Sequence, residues 1–305
     1  MSDQFKTLLK KVDGNKGAKC FYPVRMDTYG RGCQFGCHYC YAHNILHKWG
    51  EWQTPVPIDI KEVEQLFHTV FETDRPHRFR EHLIEKKRIR LGGMCDVFMP
   101  QEKELGITHK FLQLLSKYDI PYLIVTKSDL IATPKYMSVL RPDLANIQFT
   151  VSSLNKSIVN KIEPGAPEST RRLAAMETLR INGFDVALRV APIILDIDGY
   201  FDFKSFQEML RYKPRTAIIE FLRLSNFINK NITCLDKSLY PLFHANYWFL
   251  EPDFKYKICK EIRDVCLDKK VDFTICEEET EMYERSKALW SNPNNCCNLP
   301  ERGWK

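Results

Sequence analysis

Short apolar runs alternate with amphipathic stretches along most of this 305-residue chain, and no other feature narrows the fold as much. A strand is expected near Met26–Arg31. Ile60, Val63, Leu66, Phe67, Val70 and Phe71 then recur at helical spacing, with Asp59 as a cap and Glu62 completing a capping-box-like pair. Further strands are expected at Ile89–Leu91, Tyr122–Val125, Ile147–Val151, Val186–Val190 and Ala217–Leu222. Helices are expected at Leu105–Tyr118, Pro134–Leu140, Glu168–Ile181, Phe203–Tyr212 and Lys255–Asp268, and Val271–Ile275 reads as one more strand. Six βα units in series imply a parallel sheet with right-handed crossovers. The unbroken apolar run Tyr122-Leu123-Ile124-Val125 is of the kind buried on both faces of such a sheet. Periodicity alone does not separate an open sheet from a barrel.

Composition bounds the class. Apolar residues at 44% and charged residues at 28% describe a soluble globular protein. No apolar run approaches the roughly 20 residues of a membrane span, and Met1–Lys6 lacks the apolar stretch of a secretory signal. Eleven cysteines in such a chain point to a reducing, cytoplasmic setting with thiols available to metal. The net charge of +6 permits nucleic-acid contact without requiring it. The densest basic stretch, Arg75 to Arg90, is diluted by Glu81 and Glu85 and reads as a solvated helix face.

Cys33, Cys37 and Cys40 stand in the run Gly32-Cys33-Gln34-Phe35-Gly36-Cys37-His38-Tyr39-Cys40-Tyr41, with C-x3-C-x2-C spacing. Iron–sulfur cubes are normally held by four thiolates. Three thiolates leave one iron open to a substrate or cosubstrate. Gly36 allows the loop to turn back between the first two ligands. The competing readings are a zinc site, a disulfide framework and unrelated buried thiols. Structural zinc favours two separated C-x2-4-C pairs, or one pair with later histidines. A second pair is absent, although His38, His43 and His47 lie close by.

This motif, with an aromatic residue before its third cysteine, resembles the radical S-adenosylmethionine (radical SAM) superfamily. The resemblance implies a [4Fe-4S] cluster on Cys33, Cys37 and Cys40, with S-adenosylmethionine chelated at the open iron. Reductive cleavage then gives a 5′-deoxyadenosyl radical that abstracts hydrogen from a substrate. It also implies a partial (β/α)6 barrel, with residues 1–225 as the core and 226–305 as a substrate-facing extension that closes the barrel. Active sites of such barrels form at the C-terminal ends of the strands, so strand-end residues are the candidates.

Gly92-Gly93-Met94-Cys95-Asp96 follows the second expected strand, and its glycines permit close backbone approach to a ligand. A simple tight turn is the alternative. The superfamily carries a Gly-Gly-Glu-like element here that contacts the methionine amino group. Met94 stands in place of that Glu, and Asp96 is the substitute candidate. Lys127 follows the third strand and is placed to neutralise a carboxylate. Ser152 and Ser153 follow the fourth and suit ribose hydroxyls. Arg189 lies among apolar neighbours and needs a charged partner, either an internal carboxylate or a ligand.

From Tyr29 to Ile194 the chain is similar to the spore photoproduct lyase-like branch. The similarity runs through Asp96 with Pro100-Gln101-Glu102, Leu105–Thr108, Ile124–Ser128, Glu163–Pro167 with Arg171-Arg172-Leu173, Gly183–Val186 and Arg189–Ile193. It implies that Tyr39, Tyr41 and Lys127 border the S-adenosylmethionine pocket, and it makes Cys95 a candidate hydrogen-atom donor. A DNA, RNA or nucleotide substrate and a ferredoxin- or flavodoxin-type reductant are the implied partners, with no membrane. A peptide or metabolite substrate is the alternative, and a non-enzymatic iron–sulfur protein the third reading. The lyases' DNA-wedging hairpin is not recognisable after Ile194. Cys276, Cys296 and Cys297 do not fit usual cluster spacing and read as structural or substrate-facing thiols. Cys259 and Cys266, one heptad apart, read as packing residues, and Cys20 and Cys234 belong to no group.

Overall fold

The computed structural model describes residues 9–11, 22–276 and 280–300. Twelve strands lie among them: β1 (Lys10–Lys11), β2 (Val24–Arg25), β3 (Tyr29–Gly30), β4 (Val56–Pro57), β5 (Ile89–Leu91), β6 (Tyr122–Thr126), β7 (Ala145–Thr150), β8 (Asp185–Ile193), β9 (Thr216–Phe221), β10 (Leu242–His244), β11 (Tyr247–Phe249) and β12 (Asp272–Ile275). The main sheet runs β1-β2-β5-β6-β7-β8-β9-β12. All its pairs are parallel except β1 with β2. Among the described residues the two edge strands do not pair with each other, so the barrel is partial. The seventh parallel strand is β12, the additional strand expected at Val271–Ile275.

The sequence signals and the elements agree where local chemistry is strong. Asp59 caps the helix Ile60–Glu72 by accepting from Lys61 N–H at 3.0 Å. Gly183, at φ +83°, takes the left-handed position that ends the helix Ser169–Ile181. The first strand differs. Only Val24–Arg25 joins the main sheet, and Met26 N–H extends the pairing to Arg90 C=O at 2.8 Å. The chain then turns off into the small β3–β4 ribbon, and Asp27 at this departure accepts from the main chain of residues 92–94. The expected helix at Leu105–Tyr118 also differs. Gly106, at φ +61°, splits it into Glu102–Leu105 and Ile107–Lys117. The buried Glu102 carboxylate then accepts from Thr108 N–H and His109 N–H, each at 3.0 Å, and satisfies the second helix's first turn. The basic stretch is not one solvated face. Arg88 is buried, and Arg90 lines a cavity.

The two ends of the barrel are closed differently. Residues 291–300 cross the N-terminal ends of the strands. Asn298 Nδ2 donates to Thr216 Oγ1 at 2.9 Å and to Asp272 Oδ2 at 2.8 Å, and Arg88 Nη1 donates to Pro300 C=O at 3.3 Å. This part of the extension therefore plugs the bottom of the barrel. At the other end, β10 and β11 form a hairpin over the C-terminal side. Ala245 (φ +49°) and Asn246 (φ +68°) make the tight turn. No described helix is long and apolar enough to cross a membrane.

Candidate active site

An open cavity of about 180 Å³ lies at the C-terminal ends of the parallel strands. Cys33, Cys37 and Cys40 line one wall. Their loop is held in place by main-chain contacts: His38 N–H donates to Ile162 C=O at 2.9 Å, and Gly165 N–H donates to Phe35 C=O at 3.0 Å. A Cβ on Gly165 would stand 2.2 Å from Gln34 C=O, so only glycine permits this approach. Cys40 also opens the helix Tyr41–Lys48, its Sγ accepting from His43 N–H at 3.4 Å.

Beneath the cysteine loop lies a buried ionic support. Tyr39 donates its phenol to Glu163 Oε1. Glu163 Oε2 pairs with Arg172 Nη2 at 2.5 Å, with side-chain exposures of 2% and 0%. Arg172 also donates to Pro167 C=O at 2.6 Å and Thr150 C=O at 3.2 Å. The Glu163–Pro167 and Arg172 elements of the sequence resemblance are therefore scaffolding for the cysteine loop.

The glycine loop forms the adjacent wall. Asp27 holds it by accepting from Gly92 N–H at 3.0 Å, Gly93 N–H at 2.6 Å and Met94 N–H at 2.7 Å. Gly92 sits at φ +86°, and a Cβ there would stand 2.4 Å from Val125 C=O. Tyr41 donates its phenol to Gly93 C=O, which ties the cysteine helix to this loop. Sequence reasoning missed Asp27. The available signal was its place, an acidic residue just past the end of the first parallel strand.

Asp96 lines the cavity, yet its carboxylate is already used. It accepts from Thr126 Oγ1 at 2.8 Å, Lys127 N–H at 2.7 Å and Phe98 N–H at 3.0 Å. Burial nevertheless raises its pKa above the ordinary value. Lys127 reaches into the cavity with its ammonium 5.4 Å from the Tyr39 ring centre. Burial disfavours its charge, but Cys37 and Glu163 outweigh that and raise its pKa. Arg189 has the internal partner its position demands: Nη2 lies 2.5 Å from Glu220 Oε2, and Glu220 Oε1 also pairs with Arg223 at 2.8 Å. Both arginines and Glu220 line the cavity. Ser152 and Ser153 are buried outside the lining. Ser153 Oγ accepts from Asn155 N–H at 3.0 Å within its own turn. Cys95 lines the cavity, and its Sγ contacts Tyr29 C=O at 3.2 Å.

The thiols show what the wall is suited to hold. Burial, then the Asp96 carboxylate, pushes Cys33 up to about 12. Burial likewise raises Cys37 and Cys40. Buried thiols become thiolates when a metal supplies positive charge. Among the described residues no three His, Cys, Asp or Glu side chains converge as ligands of one ion. Three cysteines lining one wall are compatible with a cube, whose ligands bind separate irons rather than one ion.

Among solved structures, the chain is similar to a spore photoproduct lyase mutant with bound S-adenosylmethionine and dinucleoside spore photoproduct. It aligns at a TM-score of 0.63 and 18% identity over 87% of this chain and 78% of that one. The fold is that of the radical SAM enzymes. Streptococcus suis SuiB bound to its precursor peptide SuiA shares it at a TM-score of 0.55 and 9% identity, over 88% of this chain and 52% of SuiB. Among curated sequences, an uncharacterised protein of Methanocaldococcus jannaschii is 27% identical over 176 residues, 54% of this chain and 59% of that one. The chain thus spans little more than half the length of that relative. No protein-family model matches the sequence. Within the radical SAM fold, the cysteine wall, the glycine loop and Lys127 occupy the C-terminal face, where such barrels place their chemistry.

Proposed function

We propose that the protein is a radical SAM enzyme acting on a nucleic acid or nucleotide. One observation carries the enzymatic part: three cysteines at C-x3-C-x2-C spacing share a cavity with the Gly92-Gly93 loop and Lys127 at the mouth of a parallel barrel. The cluster and S-adenosylmethionine, when bound, would supply a 5′-deoxyadenosyl radical. Cys33, Cys37 and Cys40 would hold the cluster. Tyr39 and Tyr41 shield it from water, each pinned by its phenol. The glycine loop would lie against the methionine end, with Asp27 fixing its main chain. Lys127 offers a cation to the methionine carboxylate.

Cys95 is assigned the return of hydrogen to the substrate. Burial first, then the Asp27 carboxylate, raises its pKa well above the usual thiol value, so it keeps its S–H. A carbon-centred substrate radical takes that hydrogen atom, forming C–H and leaving a thiyl radical.

Aromatic and cationic side chains near the β10–β11 hairpin support bases as the group presented. Phe243 on the β10–β11 hairpin and Trp49 after the cysteine helix are 59% and 70% exposed. Lys237 lies 3.9 Å from the Trp248 ring centre, and cavity-lining Arg223 lies 5.9 Å from that of Tyr247. Phe243, Trp248 and Lys237 lie together, the kind of grouping that stacks bases and meets phosphate. The hairpin was not legible in sequence because its turn, Ala245-Asn246, lacks the usual Asn-Gly signal. The test compares short single-stranded DNA and RNA with peptides of equal length. Nucleic acids should bind with a steep loss of affinity as salt rises, and should stimulate 5′-deoxyadenosine formation. Stimulation by peptides alone would select the peptide reading.

A further inference from the structure

Charged side chains occupy positions inside this barrel that apolar ones usually fill. Successive residues of a strand face opposite sides of the sheet. Arg90 in β5, Arg189 in β8 and Glu220 in β9 line the cavity, whereas Ile89, Leu91, Leu188 and Val190 beside them are buried outside its lining. The Glu220 carboxylate is already shared. One oxygen meets Arg189 at 2.5 Å and the other meets Arg223 at 2.8 Å. The other charged pair of the lining stands at the cysteine wall, where Asp96 accepts from Lys127 N–H and the Lys127 ammonium lies 5.4 Å from the Tyr39 ring centre. Neither carboxylate is left for Arg90. Its Nη1 donates to the Tyr22 phenol and its Nη2 to Gly92 C=O at 3.3 Å. Its Nε is buried with no hydrogen-bond partner. Among the described residues it forms no ion pair. A phenol and a carbonyl satisfy N–H groups but bring no countercharge, and a guanidinium stays protonated. Closing such a cation off from water without an anion is costly.

We infer that Arg90, with Arg189 across the same cavity, forms a subsite for a phosphate group of the substrate, an inference that rests on the nucleotide reading above. Phosphate fits better than carboxylate. The two arginines approach from β5 and β8, with β6 and β7 between them in the sheet. A carboxylate has two oxygens in one plane and matches a single guanidinium fork. A phosphate carries its oxygens at tetrahedral corners and meets donors from two directions. Arg90 also touches the Gly92-Gly93 loop through Gly92 C=O, so a phosphate held there tethers its nucleoside in the cavity shared with the cysteine wall. The role of Arg90 is recognition, and the position of its strand is what fixes it: Arg90 pairs in parallel with Leu123 of β6 through its main chain, leaving the side chain to the interior.

The test uses full-length protein reconstituted with iron and sulfide, saturated with S-adenosylmethionine and kept without reductant, so that the methionine carboxylate is already bound. Anaerobic calorimetry compares each deoxynucleoside with its 5′-monophosphate, and inorganic pyrophosphate serves as a probe without a base. At least one monophosphate should bind about ten-fold or more tighter than its nucleoside, the gain expected of a charge-assisted contact. Arg90→Gln should cut that advantage to under about three-fold and weaken pyrophosphate binding, and Arg90→Lys should restore part of both. No advantage for any monophosphate in the unsubstituted protein would overturn the subsite, and this comparison decides even if the variants fail to fold. An advantage unchanged in a folded Arg90→Gln protein would overturn it as well. Pyrophosphate binding that depends on Arg90, with no nucleotide bound, would uphold the phosphate subsite and reject the nucleotide reading. Oligonucleotide binding with no gain from a phosphate would do the reverse.

Discussion

At the scale of single residues, charge burial around the cysteine wall gives sharp expectations. Glu163 and Arg172 are enclosed and form an ion pair. Removing one partner leaves an uncompensated buried charge, so Arg172→Met should lose about 3–5 kcal/mol. Urea unfolding of the two proteins measures this, and a loss under 1 kcal/mol would deny the support role. Glu220 gives a pH expectation. Burial raises its pKa, but Arg189 and Arg223 outweigh that and depress it. A depressed folded pKa stabilises fully above the ordinary carboxylate range, and that stability is lost as pH falls through the folded value. Glu220→Gln should therefore show a shallower acid limb in stability against pH, and superimposable limbs would contradict the pairing. The grouping of Cys33, Cys37 and Cys40 on one cavity was legible in sequence because their spacing is local. Asp27 was not, because its three N–H partners lie some 65 residues away. Asp96 and Arg189 were found as residues that matter. Their partners, Thr126 and Glu220, come from other strands and needed the fold.

At the scale of elements, glycine positions separate close approach from conformation. Gly183 and Gly92 have nearly equal φ, +83° and +86°, but only Gly92 has a backbone oxygen where a Cβ would go. Gly183→Ala should cost about 1 kcal/mol. Gly92→Ala should cost clearly more, because Val125 or the loop must move. Thermal unfolding of both variants checks the order, and equal losses would show that the loop has room to shift. Helices and strands of the barrel were legible because their periods repeat. The first strand and the Leu105–Tyr118 helix were misjudged for one reason. In each, a tertiary demand, the Asp27 loop or the Glu102 cap, interrupts a good local pattern.

At the scale of the whole molecule, the chain divides its closure between two ends. The plug seals the bottom with main-chain and amide contacts, whereas the top stays open beneath an aromatic hairpin. The proposed nucleic-acid reading puts substrate selection at the top. Phe243→Ala should weaken oligonucleotide binding by about 1–3 kcal/mol, the range for one stacked base, while leaving iron content unchanged. Unaltered affinity would move recognition away from the hairpin. The division into residues 1–225 and 226–305 understates how the later segment works. It supplies the β10–β11 hairpin, the last parallel strand and the plug, each serving a different face of the barrel. Such long-range roles are invisible to periodicity.

The account stands on the cysteine wall holding a cluster that cleaves S-adenosylmethionine, and one anaerobic measurement addresses that directly. The protein is reconstituted with iron and sulfide, then given dithionite and S-adenosylmethionine, and 5′-deoxyadenosine is quantified beside a Cys37→Ala variant. The wild-type chain should bind about four irons and form 5′-deoxyadenosine, while the variant keeps its fold by circular dichroism and loses both. Near-normal iron and visible absorbance in the variant, or a full cluster that forms no 5′-deoxyadenosine even with oligonucleotide or peptide present, would contradict it.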